Sequence, residues 1–298
     1  VKLTRRQMTG GMAAFAIGAG ALPARTETTM KNLPFAAQTP VSVGRVGLMA
    51  RDGNRVADYY KALLGLTELR RSGNVIALGV GEREILEIEG SAALREDDPR
   101  SAGLFHTAFL LPARADLARW TRFAIDNRIP VDGASDHSVS EAVYLTDPEG
   151  NGVEIYADRP RENWTFDGGS VRMGTEALNI PNLLDELIVG DPEWKGAPDN
   201  TVIGHVHLRV GDVADAERWW NDAQRFDTML HYGGQAVFLS SGGYHHHIGA
   251  NSWRSSGAGP READRTGLGF VELLSKNASA ESASRDPWGS EIRVIPAA

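Results

Sequence analysis

No cysteine occurs among the 298 residues. Its absence removes disulfides, thiolate metal ligands and cysteine nucleophiles together, and leaves histidine and carboxylates as the side chains able to hold a metal. It does not settle the redox compartment. Positive charge is also short, with 31 Lys and Arg against 39 Asp and Glu and a net charge of −8. With no long basic run, this balance argues against a nucleic-acid partner or an anionic membrane surface. No stretch reaches the roughly 18 apolar residues that a membrane span needs. Histidine is scarce, eight in all, yet three stand side by side at His245, His246 and His247. What remains is an ordinary globular composition, 42% apolar and 23% charged, long enough for two cores of roughly 100–150 residues each.

The first residues carry a separate signal. "VKLTRRQMTGGMAAFAIGAGALPAR" sets Arg5 and Arg6 together before a short, weakly apolar stretch from Met8 to Leu22 and a small-residue exit at Ala24. It resembles a twin-arginine export signal, so residues 1–24 are expected to be a leader and the mature protein to be periplasmic. A disordered basic tail on a cytoplasmic protein is the alternative. Residues 25–40 are expected to be a linker.

The rest of the chain repeats itself. "VGRVGLMARDGNRVADYYKALLGL" and "IGHVHLRVGDVADAERWWNDAQRF" share an apolar strand, an Asp-containing turn and an amphipathic helix with paired aromatics, Tyr59 and Tyr60 or Trp219 and Trp220. A second pair opens with "LFHTAFLL" and "LGFVELLS" and closes with "GVEIYAD" and "SEIRVI". Each copy reads strand, helix, then about three strands with Asp-Pro or Gly turns. Four βαβββ modules result, two in residues 41–160 and two in 201–298, joined by a Gly-, Pro- and Trp-rich linker over 161–200. The expected fold class is α+β, with the four modules closing two incomplete β-barrels. The fourth module is truncated, because Ser275 to Ser284 cannot hold a helix like the one after His106.

At one position of the four opening strands stand Arg45, His106, His205 and Gly269, and at the matching point of the closing strands stand Glu154 and Arg293. Strand alternation puts His106 and Glu154 on an inward face. Two His and one Glu make the facial triad that leaves three adjacent positions of an octahedral Fe(II) open. Taken singly, an inward His is more often a hydrogen-bonded core residue, and an isolated strand Glu is more often exposed. The joint pattern reverses that reading. His207 shares the face of His205 and competes with it for the ligand role. The paired aromatics read as core packing, and His231 with Glu84, Glu87 and Glu89 as structural or solvated.

Around Glu154, "SDHSVSEAVYLTDPEGNGVE" carries His137, Tyr144, Asp147-Pro148 and Gly150 before the closing Glu. The segment resembles the signature of extradiol ring-cleaving dioxygenases, with Ser135 departing from the residue usual two before the His. From about Val41 onward the chain is similar to two-domain catechol 2,3-dioxygenases of the vicinal-oxygen-chelate superfamily, which also holds glyoxalases and bleomycin-resistance proteins. "GASDH", "IGHVHL" and "GGYHHHIG" carry that likeness.

The resemblance implies an enzyme that inserts O2 into a catechol-type aromatic diol at Fe(II), with Mn(II) the alternative ion, held by His106, His205 and Glu154. It makes His246 the acid–base group, for which the unperturbed near-neutral pKa of histidine is suited. On a strand, His245 and His247 would face away from it. Tyr144 would hydrogen-bond substrate oxygen, and His137 would donate to substrate or to Tyr144. Because the ligands lie in the second and third modules, those two are expected to share the metal-bearing barrel, and the first and fourth to close another without metal. The implied partners are a small aromatic diol and dioxygen, with self-association into a homo-oligomer left open. Two other readings stand beside this one: a glyoxalase-like metal-dependent lyase or isomerase, which would use more carboxylate ligands, and a non-catalytic small-molecule-binding protein.

Overall fold

The structure, a computed structural model, describes residues 33–297, so the leader expected over residues 1–24 lies outside the described residues. A helical turn, α1 (Phe35–Gln38), precedes the first module, which is β1 (Val41–Ala50), α2 (Gly53–Leu64), β2 (Thr67–Ser72), β3 (Val75–Val80) and β4 (Arg83–Gly90). The second is β5 (Gly103–Leu111), α3 (Arg114–Asp126), β6 (Gly133–Asp136), β7 (Ser140–Thr146) and β8 (Gly152–Asp158). The connecting region holds β9 (Phe166–Asp167), β10 (Ser170–Val171), β11 (Glu176–Ala177) and α4 (Ile180–Leu184). The third module is β12 (Val202–Arg209), α5 (Val213–Gln224), β13 (Asp227–Tyr232), β14 (Ala236–Ser240) and β15 (Ile248–Asn251). The fourth is β16 (Gly267–Ser275), β17 (Ser282–Arg285) and β18 (Glu291–Pro296). Its span from Ser275 to Ser282 is too short for a helix of the 12 or 13 residues found in the other modules.

In α2 and α5 capping and periodicity agree. Asp52 accepts a hydrogen bond from the Arg55 N–H to start α2, which buries Val56, Tyr60, Leu63 and Leu64 and ends at Gly65 in the left-handed conformation, φ 67°. Asp212 caps α5 in the same way by accepting from the Asp215 N–H, and Ala216 and Trp220 turn inward.

The strands form a nine-stranded sheet, β11-β6-β7-β8-β5-β12-β15-β14-β13, a seven-stranded sheet, β17-β18-β16-β1-β4-β3-β2, and a two-stranded ribbon, β10-β9. The second and third modules therefore share one sheet through antiparallel β5 and β12, and the first and fourth share the other through antiparallel β1 and β16. Each sheet draws one module from residues 41–160 and one from 201–298. All eight residues of β12 are buried, as in a strand covered on both faces.

Every opening strand skips one residue of its antiparallel ladder: Gly44, Phe105, Gly204 and Gly269 fall between paired positions. The skip at Gly269 corrects the alignment of the fourth module. Phe270 pairs with Gly47 as His205 pairs with Ala108, so Phe270 is the counterpart of His205. Among the described residues, no helix is long and apolar enough to cross a membrane.

Candidate active site

Ala108 on β5 pairs with His205 on β12 to one side and with Glu154 on β8 to the other. Cross-strand partners share a face, and the small Ala108 side chain does not hold the two apart. His106, two residues away on β5, points to that same face. His106 Nε2 stands 3.0 Å from Glu154 Oε2 and 3.2 Å from His205 Nε2, and His205 Nε2 stands 3.1 Å from Glu154 Oε2. All three side chains are buried. A six-coordinate divalent ion with bonds of about 2.1 Å holds adjacent ligands about 3.0 Å apart, so the triangle fits three neighbouring corners of an octahedron. Among the described residues this is the one group of three His, Asp or Glu side chains whose ligand atoms converge.

The electrostatics suit a cation. Burial pushes the His205 imidazole down to about 4, so the ring is neutral at neutral pH, the form that ligates metals. Burial pushes Glu154 the other way, yet the His205 and His106 rings beside it hold its carboxyl well below the usual range. His207 lies opposite His106 in the ladder, with its ring nearly perpendicular at 5.0 Å, and its ligand atoms do not join the triangle. Its ring lies flat on Gly249, where a Cβ would sit 2.9 Å from two ring carbons.

A cavity of about 310 Å³ opens over the triad, walled by Phe105, Met173, Leu230, Phe238 and Trp253, a volume at the lower end for small-molecule sites. Tyr144 and His137 line it too. The Tyr144 hydroxyl lies 2.6 Å from His137 Nε2, and His137 Nδ1 lies 2.7 Å from the Gly174 carbonyl. A carbonyl only accepts, so Nδ1 carries the hydrogen and Nε2 accepts from Tyr144. His137 thus receives a hydrogen bond from Tyr144, where the sequence reading has it donate. Burial first, and the Glu154 charge second, raise the Tyr144 hydroxyl well above its usual pKa, and it stays protonated.

His246 lines the same cavity, its ring 4.1 Å from that of His205 and edge-on to Phe238 at 4.8 Å. Burial holds its pKa well below the usual imidazole range. The stretch from Tyr244 to His247 is a bend that precedes β15, so strand alternation does not apply there. His245 does not face away: its Nδ1 lies 2.8 Å from His246 Nδ1 and its Nε2 lies 2.9 Å from Asp158 Oδ1. His245, Asp158 and the cavity walls, Phe105, Leu230, Phe238 and Trp253 together with Met173, Gly174 and Thr175 of the connecting region, are the parts of the site that sequence reasoning missed. The run of three histidines was the available signal for His245. The connecting region offered none.

Residues 42–155 match the family described as Glyoxalase/Bleomycin resistance protein/Dioxygenase superfamily. The chain is 38% identical over 236 residues to the catechol-2,3-dioxygenase of Bacillus subtilis (strain 168), covering 78% of this chain and 82% of that one. Two solved structures share the fold at 12% identity. A candidate dioxygenase from Bacillus subtilis subsp. subtilis str. 168 has a TM-score of 0.57 over 87% of this chain and 85% of that one. Glyoxalase I from Zea mays has a TM-score of 0.52 over 88% and 94%. The 38% identity over most of both chains, with the family match over residues 42–155, establishes that this chain belongs to the glyoxalase/bleomycin resistance protein/dioxygenase superfamily, alongside the catechol-2,3-dioxygenase relative.

Proposed function

We propose that this protein is an extradiol ring-cleaving dioxygenase that inserts both atoms of O2 into a catechol-type aromatic diol. The observation that carries the reading is the triangle of His106, His205 and Glu154 on the floor of a cavity that Tyr144, His137 and His246 also line. Two imidazoles and one carboxylate on one face form the donor set of non-haem Fe(II) oxygenases, and Mn(II) accepts the same donors. When bound, such an ion supplies chelation of the two diol oxygens and a place for dioxygen beside the ring.

The chain's own residues do the rest. Tyr144 donates its hydroxyl proton to His137 Nε2, which Gly174 tethers from the other side, so its oxygen is held toward the substrate to accept a hydrogen bond from a diol hydroxyl. On the other wall His246, neutral because it is buried, exchanges a proton with oxygen. Phe105, Phe238 and Trp253 pack the aromatic ring and exclude water. The name of the Bacillus subtilis relative supports the diol. A glyoxalase-type set would need a second inward carboxylate from the third module, and Gly249 stands at the ladder position matching that of Glu154.

Oxygen uptake by protein loaded anaerobically with Fe(II), across a panel of catechols, tests the reading. Wild type is expected to consume O2 and diol in equal amounts. Glu154→Gln is expected to lose metal and turnover together, and His246→Phe to keep metal while losing about 10²–10⁴ in turnover. Full turnover in both variants, or no uptake by fully Fe(II)-loaded wild type with any diol, overturns it.

A further inference from the structure

Asp158 closes β8, and two hydrogen-bonded chains run from its Oδ1 into the site. In the first, His245 Nε2 lies 2.9 Å from Asp158 Oδ1, and His245 Nδ1 lies 2.8 Å from His246 Nδ1. In the second, the Tyr244 hydroxyl donates to Asp158 Oδ1 at 3.2 Å. The Tyr244 and Tyr156 hydroxyls are 2.7 Å apart, and the Tyr156 hydroxyl lies 3.2 Å from His205 Nδ1. Tyr156, Tyr244 and His245 are 0% exposed, so solvent does not compete for these bonds. Gly204 makes room for the second chain, because a Cβ there would collide with the Tyr156 hydroxyl.

Counting hydrogens gives each chain a direction. A carboxylate only accepts. In the first chain the hydrogen of His245 therefore sits on Nε2, its Nδ1 is an acceptor, and His246 must donate from its own Nδ1. The Nε2 of His246 is then without a hydrogen, on a ring that lines the cavity. In the second chain Tyr244 donates to Asp158, Tyr156 donates to Tyr244, and His205 Nδ1 donates to Tyr156. That leaves His205 Nε2, 3.1 Å from Glu154 Oε2, free of hydrogen when a cation takes the place between them, the state in which Nδ1 must carry the ring's one hydrogen. A tyrosine hydroxyl keeps its proton at neutral pH, so both remain donors.

We propose that Asp158 is a positioning residue that sets the tautomers of two imidazoles at once, presenting an unprotonated Nε2 of His246 to substrate and an unprotonated Nε2 of His205 to the metal. Histidines that ligate metals commonly donate their other ring N–H to a fixed acceptor, and losing that partner typically costs about 10–100-fold in affinity or activity. Here one carboxylate serves a ligand and the acid–base group together. The benefit to turnover rests on the dioxygenase reading, whereas the tautomers themselves do not.

Nitrogen-15 NMR of histidine-labelled protein loaded with Zn(II) reports which ring nitrogen carries the hydrogen, with no turnover required. Wild type is expected to show His246 protonated on Nδ1. Asp158→Asn keeps the shape but can donate as well as accept, so it is expected to give mixed tautomers at His246, about tenfold weaker Zn(II) binding, and in the Fe(II)-loaded protein a lower kcat with little change in KM. Tyr244→Phe cuts only the second chain, and is expected to weaken Zn(II) by a similar factor while the His246 signals stay in place. A wild-type His246 protonated on Nε2, or Asp158→Asn with unchanged His246 signals and unchanged Zn(II) affinity, overturns the proposal. Wild-type signals as stated, shifted by Asp158→Asn in a protein that turns over no diol, uphold the relay and remove the dioxygenase reading.

Discussion

Tyr144 and Glu154 face each other across β7 and β8, and what separates them chemically is the proton each keeps. Burial opposes charge on both, but two imidazoles reverse that effect for Glu154 and a carboxylate reinforces it for Tyr144. The pair therefore sets an anion beside a neutral hydroxyl whose proton goes to His137. Tyr144→Phe removes the donor and leaves His137 Nε2 without its hydrogen bond. Turnover is expected to fall by about 10²-fold or more, with metal stoichiometry unchanged in a chelator competition. Retained turnover would exclude Tyr144 from the proton chemistry. These residues were legible because the segment from His137 to Glu154, which runs through the adjacent strands β7 and β8, resembles the extradiol signature. Asp158 was not, because an aspartate at a strand end reads as an ordinary solvated terminus until Tyr244 and His245 are seen to converge on it.

The β1 and β16 junction repeats that of β5 and β12 with other side chains. Arg45 stands where His106 does, Phe270 where His205 does, and Glu87 where Glu154 does. Arg45 Nη1 lies 2.5 Å from Glu84 and 3.1 Å from Glu87, and its Nη2 lies 2.8 Å from Glu272. A guanidinium thus supplies the positive charge in this sheet, and Arg293 stacks over Phe270 at 3.6 Å. Glu84 and Glu87, read from sequence as structural or solvated, are structural. Arg45→Met would crowd three carboxylates, with Arg70 still paired to Glu84 and Glu87 and the ion pair to Glu272 lost. The expected loss is on the order of 2–4 kcal/mol, below the full cost of a broken buried pair because the side chains keep some water contact. Urea unfolding would read it, with metal stoichiometry in the other sheet unchanged; equal stability would make the cluster incidental. The module pattern was legible through its repeated turns and helix faces. The register of the fourth module was not, because skipping Gly269 costs no visible break in an apolar run.

Over the whole molecule, the pairing of the second and third modules could be anticipated because only they carry the candidate ligands, but nothing in residues 25–40 announced a role in the core. His247 supplies that role. Its Nε2 donates to the Ala36 carbonyl at 2.9 Å, fastening α1 to the third module, and its Nδ1 accepts from the Ser241 N–H at 3.3 Å. A second ring proton would point at that N–H. Burial accordingly holds the His247 pKa at about 3, against roughly 6.5 in an unfolded chain. The unfolded chain takes up this proton below pH 6.5 and the folded chain refuses it until about pH 3. The stability contribution is therefore complete above pH 6.5 and lost as pH falls, at about 1.4 kcal/mol per pH unit, on the order of 3 kcal/mol by pH 4. Against total stabilities of about 5–15 kcal/mol, that is a large fraction. His247→Gln keeps an amide donor for Ala36 but has no proton to gain. In metal-free protein its stability at pH 7 is expected to drop by about 1–3 kcal/mol, while its decline between pH 6.5 and 4 becomes shallower than that of wild type by about 1.4 kcal/mol per unit. Urea midpoints across that range measure both quantities, and parallel pH profiles for the two proteins would show that His247 is not the group whose protonation opens the fold in acid.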